Sequence, residues 1–366
     1  MRSNELQVAV DVGARLHRVA VGDASGRLLE EFDLEHTAAG LSGFFTRVEA
    51  LRGERKTPVA VAMEGFNGWA RPLDQQVLER GWKLYNVNNL KLARYKEIFP
   101  APAKTDAIDA RRMLELFRLR GELPVAREVL QEIVALPQEA ARLKRLTRRR
   151  RQMVNEKTRV VNRLQSDLQA VCPGLLAITA DADNLWFLSL LCAREDIRQL
   201  AGLRANSLRA LDGVGRAYCA KIQAWQRSAL FSREAEWAGP MIVADARRML
   251  ALKREIAALD ELIEPLTHDC EMARRVRTIP GFGPTCSGEL AGEIGTIERF
   301  GGEASLALYL GMATLDRSSG THTGTKRPRQ VNTRAKAAMM IAVARHREQV
   351  PLSRLLREKT RPAQDP

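Results

Sequence analysis

Four carboxylates in this chain have the types and spacing of metal ligands. Asp11 ends the apolar run VAVD, and Glu64 ends a similar run, VAME. Asp106 and Asp109 lie three residues apart in KTDAIDARR, residues 104–112, so on a helix they share one face. Carboxylate oxygens suit Mg²⁺ or Mn²⁺, and a pair of such ions supports phosphodiester chemistry. The four residues predict a metal site if folding brings them together.

Each carboxylate also has a simpler interpretation. Thr105 or Asp106 would cap a helix, and Asp109 in its first turn would interact favourably with the helix dipole. Glu64 would form a salt bridge at the end of a strand. Asp11, with a glycine two residues later, also resembles the phosphate-binding turn of actin-like ATPases, but the further turns of that class are not found in the chain.

The elements that must position these residues follow the order of a ribonuclease-H-like fold. Apolar periodicity predicts strands at residues 6–12, 17–22, 27–36, 58–64 and 82–87, and helices at 39–51, 70–80 and 107–120. This is an α/β layer around a mixed sheet. It places Asp11 and Glu64 at the ends of buried strands, where a charge is costly unless it is paired or bound to metal.

Beyond about Val125 the strand patterns stop, and a strongly basic helix follows. The segment RLKRLTRRRR, residues 142–151, carries seven cations and no acid. The cations are Arg142, Lys144, Arg145, Arg148, Arg149, Arg150 and Arg151. Uncompensated cations on one helix repel one another, so we predict that they contact a polyanion rather than form a merely solvated face.

A heptad pattern follows the basic helix. Apolar residues spaced 3, 4, 3, 4, 3 occupy one face: Met249, Leu252, Ile256, Leu259, Ile263 and Leu266. This spacing predicts a helical hairpin or short coiled coil. The seam would pack either on the 143–170 helix of the same chain or between protomers.

Two segments share an apolar residue, a GxG turn and a helix rich in small residues. They are LDGVGRAYCAKI, residues 211–222, and IPGFGPTCSGEL, residues 279–290. Such hairpins resemble the helix-hairpin-helix units of DNA-binding proteins, although each alone could be a plain turn between helices. We predict that Gly281 and Gly283 contact a DNA backbone.

Composition indicates nucleic acid as the partner. The 366 residues include 58 Lys and Arg against 44 Asp and Glu, a net charge of +14, and such an excess attracts polyanions. A membrane span and a signal peptide are absent, so we expect a cytoplasmic protein that associates with the nucleoid when acting. Five cysteines without a CxxC pair argue against a zinc site or disulfide framework. We predict three regions, residues 1–125, 126–275 and 276–366.

Asp11, Glu64 and KTDAIDAR together resemble the DEDD, RuvC-like domain of the IS110 family of insertion-sequence transposases. The segment IPGFGPTCSGELAGEIGTIERF, residues 279–300, is similar to the signature of that family's second domain. A third segment, ALYLGMATLDRSSG at residues 307–320, is similar to the one that carries its nucleophilic serine. The resemblance implies an α/β plus all-α protein: a RuvC-like domain, a helical or coiled-coil middle segment and a mainly helical C-terminal transposase domain.

The resemblance also implies roles for individual residues. Asp11, Glu64, Asp106 and Asp109 would bind Mg²⁺ (or Mn²⁺), and Ser319 would attack a DNA phosphate. In the run Arg317-Ser318-Ser319-Gly320, an alignment shifted by one residue would select Ser318 instead. The cations that follow would hold DNA or RNA phosphates, namely Lys326, Arg327, Arg329, Arg334 and Lys336. One departure from the family pattern is Val331, where a glycine usually precedes the asparagine.

The partners implied are donor and target DNA, an element-encoded guide (bridge) RNA and further copies of the chain. The family forms homo-oligomers, so a dimer or tetramer with composite active sites is expected, and no membrane is involved. Because Asp11 and Ser319 are predicted on different domains, domain packing would have to assemble the site, within one protomer or between two.

Two other functions remain open, and a third is disfavoured. A RuvC-like, metal-dependent nuclease would hydrolyse DNA without a covalent intermediate. A basic binding protein would use the same fold as an inert scaffold. A tyrosine recombinase is disfavoured, because Tyr309 lies near the C-terminal motif but its context, LALYLG, is typical of a core.

Overall fold

The structure is a computed structural model that describes residues 5–54, 56–65, 68, 70–98, 106–123, 129–320, 323–329 and 331–360, without the side chains of residues 90, 96, 98, 106, 107 and 356–360. The chain divides into two compact units, Met1–Ala135 and Leu136–Pro366. The first unit ends at residue 135, whereas the boundary predicted from the sequence is at residue 125. The second unit contains both of the later predicted regions.

The first unit is built on a six-stranded sheet with the order β3-β2-β1-β4-β5-β6. Its elements are β1 (Leu6–Asp11), β2 (Leu16–Gly22), β3 (Leu28–Glu35), α1 (Ala38–Arg52), β4 (Val59–Met63), α2 (Arg71–Glu79), β5 (Lys83–Val87), α3 (Asn89–Ile98), α4 (Asp106–Glu122) and β6 (Leu130–Glu132). Strands β1, β4 and β5 run parallel, whereas β2, β3 and β6 pair antiparallel with their neighbours. The predicted mixed α/β architecture is confirmed.

The strand β6 corrects the prediction that strands stop near Val125. It is three residues long, and only Leu130 in it is buried, so it has too few alternations to produce a period-two pattern. Pairing with β5 at the edge of the sheet holds it in place. A tertiary contact, rather than local propensity, makes this segment a strand.

The two faces of the sheet carry different cores. Valines of the central strands, such as Val8 and Val61, pack with the aromatic rings of α1 on one face. Alanines at alternate positions, Ala9 and Ala62, pack with Met113 of α4 on the other. Small side chains on this second face allow α4 to lie close to β1 and β2.

The second unit is mainly helical. Its elements are α5 (Gln138–Val171), α6 (Leu185–Leu191), α7 (Ala205–Arg209), α8 (Arg216–Gln226), α9 (Ala235–Asp269), α10 (Glu271–Arg277), α11 (Pro284–Ile294), α12 (Glu303–Tyr309), β7 (Leu315–Asp316), β8 (Thr325–Lys326), α13 (Thr333–Gln349) and α14 (Pro351–Thr360). Both GxG segments connect two helices, α7 to α8 and α10 to α11. None of the described helices has the length and apolar character needed to cross a membrane. All five cysteines are free thiols.

The heptad seam packs within the chain. Met249 and Leu252 of α9 are fully buried against Leu164 of α5, and Ile263 is buried against Leu143. Ion pairs between Arg150 and Asp260 and between Arg163 and Asp245 show that the two long helices are antiparallel. This pairing settles the choice between an intrachain seam and one between protomers for these residues.

The helix α11 lies buried against this pair of long helices. Every residue from Cys286 to Ile294 is buried. A methyl group on Gly292 would lie 2.5 Å from the backbone nitrogen of Lys144 in α5, and one on Gly288 would lie 2.7 Å from Oγ1 of Thr267 in α9. These two glycines therefore set how closely α11 approaches α5 and α9.

We predict that Gly292→Ala destabilises the protein by about 2 kcal/mol, because the added methyl group meets backbone atoms that cannot rotate away. The measurement is the free energy of unfolding in denaturant. Gly202→Ala is the control, since nothing lies within 4 Å of the added group there. A Gly292 variant as stable as the Gly202 variant would contradict the close approach.

Candidate functional site

Two adjacent parallel strands bring Asp11 and Glu64 to the same edge of the sheet. Strand β1 pairs with β4 in a register that places Val10 opposite Met63. Asp11 is the next residue of β1, and Glu64 directly follows β4. Because side chains alternate along a strand, both carboxylates belong to the face that carries Ala9 and Ala62, which α4 covers.

Two contacts show the direction of α4 on this face. A methyl group on Gly22 would lie 2.7 Å from Leu114 Cδ2 of α4, and Gly22 pairs with Gln7 near the start of β1. Arg111, earlier in α4, forms a bidentate ion pair with Glu31 of β3.

Glu31 pairs with Ala20 of β2, and Ala20 pairs with Ala9 of β1. Ala9 is closer than Gln7 to the C-terminal end of β1. Residue numbers therefore fall along α4 as they rise along β1, and the two elements are antiparallel. The first turn of α4, which contains Asp106 and Asp109, lies at the end of β1 where Asp11 stands. The fold thus brings Asp11, Glu64 and Asp109 to one corner of the sheet, and Asp106 begins the helix that covers this corner.

The donor chemistry of this corner fits a hard cation. Asp11 and Glu64 are half-buried, and Asp109 is 9% exposed. Carboxylate oxygens without nearby thiolates are the ligands that Mg²⁺ and Mn²⁺ prefer. Within the described residues, no three acidic, histidine or cysteine side chains form a group arranged to hold a metal, and the Asp106 side chain lies outside them. Thr105, one of the two residues predicted to cap α4, also lies outside the described residues, as does Lys104.

Ser319 lies on an exposed hairpin of the second unit. Strands β7 and β8 pair antiparallel, and the Arg317 N–H donates to the Gly324 carbonyl at 2.7 Å. Gly320 has a φ of +60°, which turns the chain directly after the serine. Ser318 and Ser319 are both exposed, so burial does not distinguish between them as nucleophiles.

The basic helix is not the uncompensated set that its local sequence indicates. Three of the seven cations form bidentate ion pairs with acids of α9 and α11: Arg148 with Glu293, Arg150 with Asp260, and Arg151 with Glu289. The premise that all seven repel one another is wrong, because the compensating acids lie on other helices. Arg142, Arg145 and Arg149 are exposed and form a stripe at i, i+3 and i+7.

The second GxG turn has a structural role, as the alternative of a plain turn between helices predicts. Gly281 is buried with a φ of +92°, and a methyl group on it would lie 2.5 Å from the Ala342 carbonyl oxygen of α13. The His346 ring Nδ1–H donates to the Pro280 carbonyl at 2.8 Å. Gly281 therefore packs on α13 and cannot contact a DNA backbone, which corrects that prediction. Gly283 is half-buried and caps α11.

The cations that follow the serine are accessible. Lys326, Arg327, Arg329 and Arg334 are exposed, and Lys336 is half-buried. Lys326 belongs to β8, the strand that pairs beside Ser319 in the same hairpin. These cations follow the hairpin serine in the chain and are open to solvent, as phosphate contacts require.

A polar group at the ends of the serine-bearing loop was not predicted from the sequence. Glu293, Tyr309 and Asn332 are joined by hydrogen bonds of 2.6 to 2.8 Å. A signal was present, since Glu289 and Glu293 interrupt a helix of small and apolar residues with a one-turn spacing. Their partners in α5, Arg148 and Arg151, lie three residues apart and so are also separated by about one helical turn.

Two family models match this chain. Residues 8–173 match a model described as a transposase, the DEDD transposase of IS110. Residues 273–355 match a second model, described as Transposase IS116/IS110/IS902 family. The first match includes Asp11, Glu64, Asp106 and Asp109, and the second includes Ser319.

Proteins of insertion elements are similar to this chain over most of its length. The 44.8 kDa protein of IS116 from Streptomyces clavuligerus is 24% identical over 349 residues, 92% of this chain and 83% of that protein. The 43.6 kDa protein of IS110 from Streptomyces coelicolor is 23% identical over 97% of this chain and 87% of its own length. The 42 kDa protein of IS900 from Mycobacterium paratuberculosis is 24% identical over 91% and 83%.

A histidine pair lies close to the loop after Asp11. His17 of β2 is fully buried, and its Nε2 lies 2.9 Å from Nδ1 of His36. Burial, followed by the charge of His36, lowers the pKa of His17, and a backbone hydrogen bond at Gly13 opposes them less strongly. In the folded unit, the His17 imidazole is therefore neutral at any pH above this lowered pKa.

We predict that the first unit loses stability as pH falls below about 6.5, because the unfolded chain then binds a proton that folded His17 resists. The slope is at most about 1.4 kcal/mol per pH unit for one proton. The measurement is the thermal unfolding midpoint between about pH 7.5 and pH 5.5, and His17→Gln should flatten its pH dependence. His268→Gln, at an exposed histidine, is the control. An unchanged slope in the His17 variant would refute the assignment.

Proposed function

The chain belongs to the IS110 family of insertion-sequence transposases, and we propose that it cuts and rejoins donor and target DNA through a covalent serine-DNA intermediate. The family implies an enzyme that cleaves and rejoins DNA. The observation that carries the proposed mechanism is the exposed serine pair at the tip of a cation-rich hairpin, within a segment that matches the family's second domain.

The serine step conserves the energy of the phosphodiester bond. The Ser319 hydroxyl attacks a backbone phosphorus, a bond forms between Oγ and phosphorus, and the bond to one deoxyribose oxygen breaks. The serine proton is lost, and the released deoxyribose oxygen takes up a proton. Attack by the hydroxyl of another strand reverses these changes, so strands are exchanged without ATP.

The corner formed by β1, β4 and α4 is the proposed site of divalent metal. Asp11, Glu64, Asp106 and Asp109 would hold Mg²⁺ (or Mn²⁺), which supplies positive charge to a reacting phosphate. What supports this proposal is the common corner, where the ends of two parallel strands meet the first turn of α4, since carboxylate oxygens are the ligands that these ions prefer. The carboxylates belong to the first unit and Ser319 to the second.

Two exposed sets of cations are the proposed nucleic-acid contacts. Lys326, Arg327, Arg329 and Arg334 follow the serine in the chain, and Arg142, Arg145 and Arg149 form the stripe on α5. We assign the first set to DNA phosphates near the reacting bond. The stripe fits the backbone of an element-encoded guide RNA, and we propose such an RNA and a homo-oligomer as further partners.

We predict that Ser319→Ala abolishes the covalent protein-DNA adduct, because alanine has no hydroxyl to attack phosphorus. The purified protein is incubated with Mg²⁺, donor and target DNA and RNA transcribed from the flanks of the element. Adducts are then separated under denaturing conditions. Ser318→Ala is the matched control, and it should retain the adduct.

Two outcomes distinguish the alternatives. Cleavage by Ser319→Ala without any adduct in the unmodified protein would indicate a hydrolytic, RuvC-like nuclease. Full function in Asp11→Asn would indicate a binding protein on an inert scaffold and would refute both enzyme proposals. Loss of the adduct in Ser318→Ala but not in Ser319→Ala would identify Ser318 as the nucleophile.

We predict that Arg145→Ala and Arg149→Ala each weaken binding of nucleic acid and reduce the slope of log K against log salt by about 0.7 to 0.9. The reason is that each exposed arginine releases about one counterion when it contacts a phosphate. The measurement is a salt titration of affinity for double-stranded DNA and for the flanking RNA. Arg194→Ala, an exposed cation outside the stripe, should leave the slope unchanged. Equal slopes in all variants would remove the stripe from the interface.

A further inference from the structure

The loop that carries Ser319 starts and ends at one polar cluster around the buried Glu293. We infer that this cluster, Glu293 with the half-buried Tyr309 and Asn332, positions the nucleophile. We call these three residues the loop anchor. They do not touch the reacting phosphate in this role, so they are positioning residues. The inference rests on the proposed serine chemistry.

Hydrogen bonds close the loop at its two ends. Tyr309 is the last residue of α12, and Asn332 directly precedes α13. The Asn332 backbone N–H donates to the Tyr309 carbonyl at 2.7 Å. The Asn332 side-chain Nδ2 donates to the Tyr309 hydroxyl oxygen at 2.6 Å. The loop at residues 310–331 is therefore tied at its base by both backbone and side-chain bonds.

Glu293 joins this base to the interior of the second unit. Its Oε2 accepts from Asn332 Nδ2 at 2.8 Å, and its backbone carbonyl accepts from the Tyr309 hydroxyl at 2.8 Å. Arg148 of α5 donates to both carboxylate oxygens, at 2.6 and 2.8 Å. One residue thus holds the two ends of the serine loop and the long basic helix together.

Burial makes these bonds obligatory. The Glu293 side chain is fully buried, so water cannot replace a hydrogen-bond partner that its carboxylate loses. Burial alone would raise the pKa of this carboxyl, but hydrogen bonds from Arg148 and Asn332, with the charges of Arg148 and Lys144, outweigh it. The pKa lies below its usual range, and the carboxylate stays ionised at neutral pH.

The orientation of Asn332 is fixed by its second role. Its Oδ1 accepts from the backbone N–H groups of Arg334 and Ala335, both at 3.1 Å, which caps α13. The amide nitrogen must then point to Glu293 and Tyr309. A substitution that keeps the oxygen which caps α13 but removes the Nδ2 donor would therefore test the bonds to Glu293 and Tyr309 separately from the cap.

Arg299 covers the outer side of the loop anchor. Its guanidinium lies 4.9 Å from the centre of the Tyr309 ring and 5.0 Å from that of Phe300. It also donates to the Ile294 carbonyl at 3.0 Å. The Tyr309 ring is therefore held on its face as well as at its hydroxyl, so its position does not depend on the hydroxyl bonds alone.

The consequence for the reaction is geometric. A loop whose ends are free must lose conformational entropy to align a nucleophile, and a small misplacement of reacting atoms costs about 100-fold in rate. Tying both ends to a buried ion pair restricts the hairpin before DNA arrives. The serine is exposed, yet the base of its loop is held by hydrogen bonds to the buried Glu293.

The test compares variants that break the loop anchor with a variant that breaks a similar buried ion pair elsewhere. Tyr309→Phe removes one hydroxyl and keeps the ring, and Asn332→Asp keeps the cap of α13 but sets a carboxylate against Glu293. Glu293→Gln weakens the ion pair itself. The matched control is Glu289→Gln, one turn earlier in α11, where Arg151 makes a similar bidentate pair and the hydrogen bonds of the described residues join neither side chain to the loop.

Two readouts are used on the full-length protein. The first is the initial rate of trypsin cleavage after Arg317 and Lys326, both exposed within the loop, with fragments identified by mass. The second is the yield of serine-linked DNA adduct. The variants that break the loop anchor should raise the cleavage rate and lower the adduct yield by about 10-fold or more each, while Glu289→Gln changes either by less than about 3-fold.

Asn332→Asp adds a pH-dependent readout. Two facing carboxylates cannot both stay ionised, so one takes up a proton as pH falls and can then donate a hydrogen bond to the other. Its trypsin cleavage rate, divided by that of the unmodified protein at the same pH, should fall toward one between about pH 7.5 and pH 5.5. Tyr309→Phe should show no such recovery, since it introduces no titratable group.

Three other results would contradict the inference or the function on which it rests. Equal effects in Glu289→Gln would show that the carboxylate matters for folding alone and would overturn the inference. Faster cleavage with unchanged adduct yield would also overturn it, because the loop would then be held without positioning the serine. If the unmodified protein forms no serine adduct, the proposed function fails and positioning of a nucleophile fails with it, while the trypsin rates still report closure of the loop. Tyr309→Phe keeps the test decisive if Glu293→Gln does not fold.

Discussion

The second unit depends on two carboxylates buried in α11. Glu289 and Glu293 stand in a helix whose residues from Cys286 to Ile294 are all buried, and isolated anions there would be strongly unfavourable. Arg148 and Arg151 of α5 neutralise them in bidentate geometry. Removing one partner of such a pair costs about 3 to 5 kcal/mol, so these contacts fix the register of α5 on α11. Gly292 allows the backbones to approach closely enough for the pairs to form.

The carboxylate corner of the first unit shows how far local sequence determines a site. Parallel strands that end at one edge made the proximity of Asp11 and Glu64 predictable, and the i, i+3 spacing gave Asp106 and Asp109 a common helix face. The direction of α4 was not predictable, because an apolar helix face packs on a sheet in either direction. Tertiary contacts at Leu114 and Arg111 decide it.

The basic helix shows where sequence alone fails. The elements of the first unit follow from periodic valine-rich strands, but charge balance within ten residues of α5 says nothing about acids more than a hundred residues away. Arg148 and Glu293 are 145 positions apart, and Arg151 and Glu289 are 138. The three-residue strand β6 was missed for a related reason, since its conformation depends on β5. Both errors concern segments whose state is set by distant partners.

The division of α5 into two faces separates two electrostatic functions. Arg148 and Arg151 pair with buried acids, and buried pairs are little screened by salt, so the inner face holds its geometry over a wide range of ionic strength. Arg142, Arg145 and Arg149 face solvent, where interactions with a polyanion weaken steeply as salt rises. The base of the serine loop is tied to the inner face through Glu293. If the proposed function holds, the serine would be positioned independently of the salt-sensitive contacts proposed for the outer face of α5.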